Sequence, residues 1–493
     1  MIYNFNLGIG WASSGVEYAQ IYRARMFRNI GVDAKFVFTD MFPSENMEHM
    51  TKNIGFKDSE VIWLYTFFTD FKTAPVTYTL SDLEKTFTDL NYTKTREGKI
   101  CRYVFGGSNN FYTAYMVNDH DDFVHRVELV SNGFLIRKDY FTYGRVYSEY
   151  YAPLDNKAHL YHRRFFNENG SVAYEEIIDD DRVMYKFKDK ILCSKEELVG
   201  YMVSQLHLTK DDVVLIDRST DIGQSILMNC KPARVGTVVH ADHFSEKDTN
   251  DDYILWNNFY EYEFNMHKHI DFYICSTQAQ SDLMVQQFEK YYGVTPCVYT
   301  IPVGSLPELK YPKENRKPFS LITASRLASE KHVDWICKAV IQARSEVPEV
   351  SLDIYGVGGE REKLETIIRE NHAQDYIHLM GQHDLSEVYQ NYEAYIAGST
   401  SEGFGLTLME AVGGGLPIIG FDVRYGNPTF IRNGENGYLI SLPEEDKERI
   451  EALRKGIVDL FKHDLEKCHS VSYEVAKDFL TSNVQEKWRE AVC

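Results

Sequence analysis

The stretch Ser399-Thr-Ser-Glu402-Gly403-Phe404-Gly405-Leu-Thr-Leu-Met-Glu410 sets two carboxylates eight positions apart around a glycine-bracketed loop that runs into an apolar segment. Gly403 and Gly405 let the backbone turn sharply and approach a ligand closely, where a Cβ would interfere. The N–H groups of that turn, and of the helix expected after it, form a site for an anion or a hydroxyl. Glu402, at the tip, can accept hydrogen bonds from sugar hydroxyls. Glu410 is expected about two turns into the helix on the side facing the loop, where a carboxylate suits the paired hydroxyls of a ribose. Alone, two acids at this spacing would be ordinary surface residues.

A second motif lies upstream. Phe319-Ser-Leu-Ile-Thr-Ala324 reads as a buried parallel strand. Arg326 and Lys331 follow at its C-terminal end, the end at which open α/β sheets bind ligands. Arg326 can fork onto the oxygens of a diphosphate and Lys331 can act as a point charge, and both neutralise charge on a departing diphosphate. An exposed Glu330–Lys331 surface pair is the plainer alternative, and the order of strand, cations and helix weighs against it. Together the two motifs describe one half of a nucleotide-sugar site.

Two further segments are candidates for the other half. In Gly8-Ile-Gly10-Trp-Ala-Ser13-Ser14-Gly15-Val16-Glu17-Tyr18, between the first strand and the first helix, Ser13 or Ser14 is the expected N-cap. The N–H groups near Gly15 and Val16 can then close on a diphosphate. The glycine spacing is not that of a dinucleotide fingerprint, and a structural turn explains it about as well. Val238-Val239-His240-Ala-Asp242-His243 follows an apolar strand, and His240, nearest the strand end, can bond a sugar hydroxyl or a developing charge. His240 and His243, three positions apart with Asp242 and Glu246 nearby, could also suggest a metal, but no third ligand falls at a persuasive spacing and none is expected; Asp179–Asp181 and Asp251–Asp252 read as solvated turns.

These residues need a scaffold, and 493 of them are enough for two or three domains with sizeable cores. A net charge of −20 argues against nucleic acid or anionic lipid as the partner of the whole surface. The start of the chain lacks the pattern of an export signal, no apolar run is long enough to span a bilayer, and the eight scattered cysteines suggest neither a disulfide framework nor zinc. A cytoplasmic protein, in places peripheral to the inner face of the membrane, is the expectation.

The periodicity predicts an α/β fold. A strand, a loop, the helix Val16–Asn29 and the strand Ala34–Phe38 open a doubly wound unit. Between about Tyr78 and Leu192 aromatic, β-branched and charged residues alternate, with turns such as Ser131-Asn132-Gly133, so an antiparallel sheet is inserted there. Tyr103, Phe111, Tyr140 and Tyr150 are its candidate packing or peptide-edge residues. Strands then recur at Val213–Ile216, Val235–Val239, Phe272–Cys275 and Val298–Ile301, and the linker Leu306–Pro318 precedes a second α/β domain. The expected division is 1–75 plus 193–305 (acceptor side), 76–192 (inserted platform), 306–470 (nucleotide sugar), and 471–493, a helix packing back on the first domain.

Glu402-x7-Glu410 with Ser325-Arg326-Leu-x-x-Glu330-Lys331 resembles the retaining family 4 glycosyltransferases of GT-B fold, two Rossmann-like domains facing a cleft. Over essentially the whole chain, through Asn6–Tyr18, His240-Ala-Asp-His-Phe-Ser245 and Gly381-Gln382-His383-Asp-Leu385, the sequence is similar to the A subunits of accessory-Sec glycosyltransferases. Such enzymes place the first N-acetylglucosamine on Ser and Thr of serine-rich repeat adhesins. The resemblance implies UDP contacts at Gly15, Val16, Glu17, Tyr18, Gln382, His383 and Leu385, and sugar contacts at His240 and Glu402–Gly405, Phe404 included. It implies diphosphate contacts at Arg326 and Lys331, and a non-catalytic B subunit that helps hold the adhesin. One departure is the Gln382-His383 pair in place of His-Ala, which a backbone contact survives. It implies UDP-GlcNAc as donor and no metal. Rival readings are a UDP-glucose donor, a teichoic-acid acceptor, and a glycosyltransferase-shaped adhesin chaperone without activity, which UDP release by the purified chain separates from an enzyme.

Overall fold

The computed structural model describes residues 1–9, 15–43, 45–87, 90–107, 109–155 and 157–493. Two compact units emerge. The first comprises Met1–Ala24, Val32–Thr237 and Asn257–Asp271, the second Arg25–Gly31, Val238–Trp256 and Phe272–Cys493.

In the first unit, strand Ile2–Asn6 lies between Val213–Ile216 and Ala34–Phe38, with Val61–Trp63 beyond the latter and Arg234–Val239 beyond the former. All pairings are parallel, as apolar strands linked by helices require. The Gly15–Ile30 helix follows the first strand, close to the predicted span. A fully buried bidentate pair, Arg23 to Asp217 at 2.7 and 2.8 Å, ties that helix to the end of strand Val213–Ile216. Gln20 adds a bond to the same carboxylate and Arg23 reaches Asn4.

The predicted insertion is a ten-stranded antiparallel meander running from Tyr92–Glu97 to Ile191–Leu192, each strand pairing with its sequence neighbours. Strands Val124–Ser131 and Phe134–Phe141 meet at a two-residue turn in which Asn132 and Gly133 have φ of 51° and 82°. Positive φ at both positions gives the mirror-image turn whose twist matches paired strands, which is why an Asn-Gly sequence stands there. The edge strand Tyr92–Glu97 is exposed throughout and carries Lys94, Arg96 and Glu97, charges that discourage edge-to-edge pairing. Of the aromatics expected to pack or to line a peptide edge, two pack in the core. Tyr103 is fully buried and donates to Glu84, and Tyr140 is buried and donates to Glu149.

The second unit holds a six-stranded parallel sheet, in the order Ile377–Gly381, Ser351–Tyr355, Ser320–Ala324, Ala394–Ile396, Ile418–Phe421, Gly437–Ile440. Its central strand shows why the sequence reads as an unbroken apolar run: every residue of Ser320–Ala324 is buried, Leu321 in one core cluster and Ile322 and Ala324 in the other. Helices Val333–Ala343 and Asp446–Phe461 supply the first cluster, Leu406–Gly413 the second. The C-terminal helix Thr481–Val492 sets Trp488 edge-on to Phe27, centroids 5.3 Å apart. Among the described residues no helix is long and apolar enough to cross a membrane.

Candidate active site

Every site residue predicted beyond Val238 falls within the second unit. The loop after strand Ser320–Ala324 is held by Ser325 N–H to Tyr355 O (3.1 Å) and Leu327 N–H to Val357 O (3.0 Å). This lacing brings two backbones so close that side chains have no room. A Cβ on Gly356, whose φ is 129°, would sit 1.9 Å from Ser325 O, and one on Gly358 2.4 Å from Leu327 O. Gly356, Gly358 and Gly359 lie outside the motifs read from the sequence, although a glycine cluster directly after a buried strand is their signal.

Arg326 is 79% exposed and bonds Glu330, four residues on, at 3.0 Å. Lys331 does not pair with Glu330. Its Nζ lies 2.6 Å from Glu402 Oε2, with both side chains about four-fifths buried. Lys331 is thus oriented by the acidic loop, and its ammonium, with three donors, keeps hydrogens for a further oxygen. The Lys331 backbone lies close against Gly398, where a Cβ would sit 3.0 Å from Lys331 O.

Glu402 begins the glycine loop. Gly405 has a φ of 88° and its carbonyl receives the N–H of Leu408 and Met409, which starts helix Leu406–Gly413. Glu410 thus stands one turn into that helix, not two. The Tyr389 hydroxyl donates to its Oε2 at 3.0 Å. Burial pushes the Glu410 carboxyl above its ordinary range, the Tyr389 bond opposes this, and the Asp384 carboxylate adds to it. Phe404, proposed as a ligand contact, turns its side chain into the core against Phe430 and Phe479.

Gln382 and His383 are exposed at the turn after strand Ile377–Gly381, and His383 Nε2 donates to Met380 O at 2.8 Å. The Tyr355 ring meets His383 edge-on, while Leu385 packs against the core. His240 is half-buried, and its carbonyl lies 3.6 Å from where a Cβ on Gly403 would be. The structure therefore joins His240 to the acidic loop, two segments the sequence held far apart.

Gly15–Tyr18 lie in the first unit. Val16 and Glu17 are buried and Tyr18 is exposed. The Glu17 carboxylate meets Arg218 at 3.3 Å, an ion pair that anchors the helix. The proposed Ser13 or Ser14 cap lies outside the described residues. Among those described, no cluster of His, Cys, Asp or Glu is placed to hold a metal.

Parallel sheets, a cation-bearing loop after one strand and an acid–glycine loop after its neighbour define a glycosyltransferase of GT-B fold. The glycosyl transferases group 1 profile matches residues 308–478, and the GtfA extended beta-sheet domain profile matches 93–189. The chain is 52% identical over 492 residues, 99% of itself and 97% of the relative, to the UDP-N-acetylglucosamine–peptide N-acetylglucosaminyltransferase GtfA subunit of Streptococcus agalactiae. It belongs to the family of these GtfA subunits. Crystal structures agree. One of a GtfA/B complex superposes with a TM-score of 0.96 at 52% identity, covering 100% of this chain and 99% of the other. Another, of the pneumococcal O-GlcNAc transferase GtfA with UDP and GlcNAc, gives 0.87 at 49% identity and covers 100% and 98%.

Proposed function

We propose that this chain transfers N-acetylglucosamine from UDP-GlcNAc to Ser and Thr hydroxyls of a serine-rich repeat adhesin, with retention at the anomeric carbon, in the cytoplasm and in complex with a non-catalytic B subunit. The observation that carries the reading is the Lys331–Glu402 pair beside Gly403 and Gly405, in a chain 49% identical to a relative crystallised with UDP and GlcNAc. A relative crystallised as a GtfA/B complex supports the partner.

In this reading Glu402 and the loop amides hold the hexose, with His240 against them. Glu410 receives the ribose hydroxyls, and Arg326 and Lys331 hold the diphosphate. The acceptor oxygen attacks the anomeric carbon on the face the diphosphate leaves. The bond from that carbon to the diphosphate oxygen breaks, and the hydroxyl proton passes to the leaving oxygen. The chain's contribution is orientation and fixed positive charge where the diphosphate gains negative charge. The inserted sheet, 76–192, serves as the platform for acceptor and partner, 1–75 with 193–305 as the acceptor side, and 306–470 as the nucleotide-sugar domain.

The test is UDP release from UDP-GlcNAc and from UDP-glucose, with and without a serine-rich peptide, followed by mass analysis of the peptide. Faster release from UDP-GlcNAc, and a peptide heavier by one N-acetylhexosamine, support the proposal. No release from either donor, or release that survives both Arg326→Ala and Lys331→Ala, rules it out.

A further inference from the structure

Glu402 is held in place by a segment with no assigned role. After strand Ile418–Phe421 the chain passes Arg424, Tyr425 and Gly426. Tyr425 and Gly426 both donate their N–H to Glu402 O, at 2.6 and 2.7 Å, and Glu402 N–H donates to Arg424 O at 3.3 Å. Two donors on one carbonyl fix the orientation of the peptide that carries the acidic tip.

The Tyr425 side chain runs the other way. It is 1% exposed, and its hydroxyl lies 3.4 Å from Nδ1 of His243, itself fully buried. His243 Nε2 is 2.7 Å from Gln287 Oε1, on helix Gln278–Tyr292. Burial pushes the imidazole down to about 4, so it is neutral at ordinary pH. Nε2 then donates to Gln287, and Nδ1 is left as an acceptor facing the Tyr425 hydroxyl. Asp242 also hydrogen-bonds that hydroxyl, so the single phenol proton is divided between the Asp242 carboxylate and His243 Nδ1; burial first, and the Asp242 charge second, hold the phenol in its protonated form. His243 lies three residues after His240, whose carbonyl abuts Gly403. The contacts close a circuit: Glu402 to Tyr425 through backbone, Tyr425 to His243 through side chains, His243 to His240 along the chain, and His240 back to the Glu402 loop.

A phenylalanine would fill the same space without burying a hydroxyl, which is costly unless the hydroxyl is partnered. We infer that Tyr425 is a positioning residue for transfer: with His243 and Gln287 it sets the spacing between His240 and Glu402, the two groups that grip the hexose. The inference rests on the functional reading above and adds residues to it. A misplacement of about 1 Å at a reacting sugar can cost on the order of a hundredfold in rate, so a buried strut of this kind is a sensitive control.

Tyr425→Phe removes one oxygen and keeps the ring. The expected result is a kcat for UDP-GlcNAc lower by about tenfold, with the inhibition constant for free UDP unchanged within about twofold, because UDP does not use the hexose contacts. His243→Asn keeps a polar atom near the Nδ1 position and His243→Gln one near Nε2. The Asn variant should therefore retain more kcat than the Gln variant. An unchanged kcat in Tyr425→Phe, an equal loss of kcat and UDP affinity, or a Gln variant as active as Asn overturns the inference while the wild type still releases UDP. A wild-type chain that releases no UDP overturns the functional reading and this inference with it.

Discussion

Lys331 Nζ lies 2.6 Å from Glu402 Oε2, and the two residues come from loops that follow adjacent parallel strands, Ser320–Ala324 and Ala394–Ile396. The pair orients a cation and an acid at once, at the C-terminal ends of the strands. Lys331→Ala should lower the rate of UDP release by about 10²–10³, the scale for losing one preorganised charge contact. Glu402→Gln should also be severe, and the double variant should be little worse than the poorer single one, since residues acting as a unit are not additive. Strict additivity in a double-mutant cycle would show that the contact has no part in catalysis.

Glu410 predicts a pH dependence with two opposite signs. Burial raises its folded pKa above the ordinary 4.5, so the stability it contributes is fully present below that value and is lost as pH rises through the folded value. In the proposed function Glu410 accepts from ribose hydroxyls, and its ionised form is the stronger acceptor. UDP affinity should therefore weaken as pH falls through the same acidic window in which stability rises. Titration calorimetry and thermal melts of wild type and Glu410→Gln across that window check this: both trends should flatten in the variant.

Gly426 has no space for a side chain. A Cβ there would lie 2.4 Å from Phe404 O and 2.8 Å from Glu402 Cγ. Gly426→Ala should cost about 1–3 kcal/mol, as overpacking does, and should depress UDP release by more than the lost stability explains. Urea unfolding alongside single-turnover rates separates the two effects; a variant with wild-type rates would free the loop from this constraint.

In the first unit, Asp217 carries two Arg23 bonds and one from Gln20, all buried. Asp217→Ala takes the carboxylate away from a buried guanidinium, and a loss of about 3–5 kcal/mol is expected by chemical denaturation. A loss below 1 kcal/mol, within the range of exposed pairs, would mean that water reaches the pair.

Where local pattern and tertiary demand agree, the elements were legible in the sequence. Ser320–Ala324 is apolar throughout because both faces of its sheet are covered, and the Asn132-Gly133 turn needs positive φ that few other residue pairs supply. The acid–glycine loop and the cation loop were also legible, since each follows a strand at fixed spacing. Direction was not. Phe404 and Glu17 sit inside readable motifs yet point into the core and toward Arg218, because side-chain orientation depends on neighbours distant in sequence.

What the sequence determined by itself was the set of parts: parallel strands, an inserted antiparallel sheet, and chemically apt residues at strand ends, all local consequences of hydrophobic period, turn chemistry and charge. What only the tertiary structure decided was which parts meet. Lys331 turns to Glu402 and not to its neighbour Glu330, His240 lies against Gly403, and Tyr425 joins both to a buried histidine. Those contacts span tens to hundreds of residues, and packing around a shared sheet, to which no local pattern is sensitive, selects them.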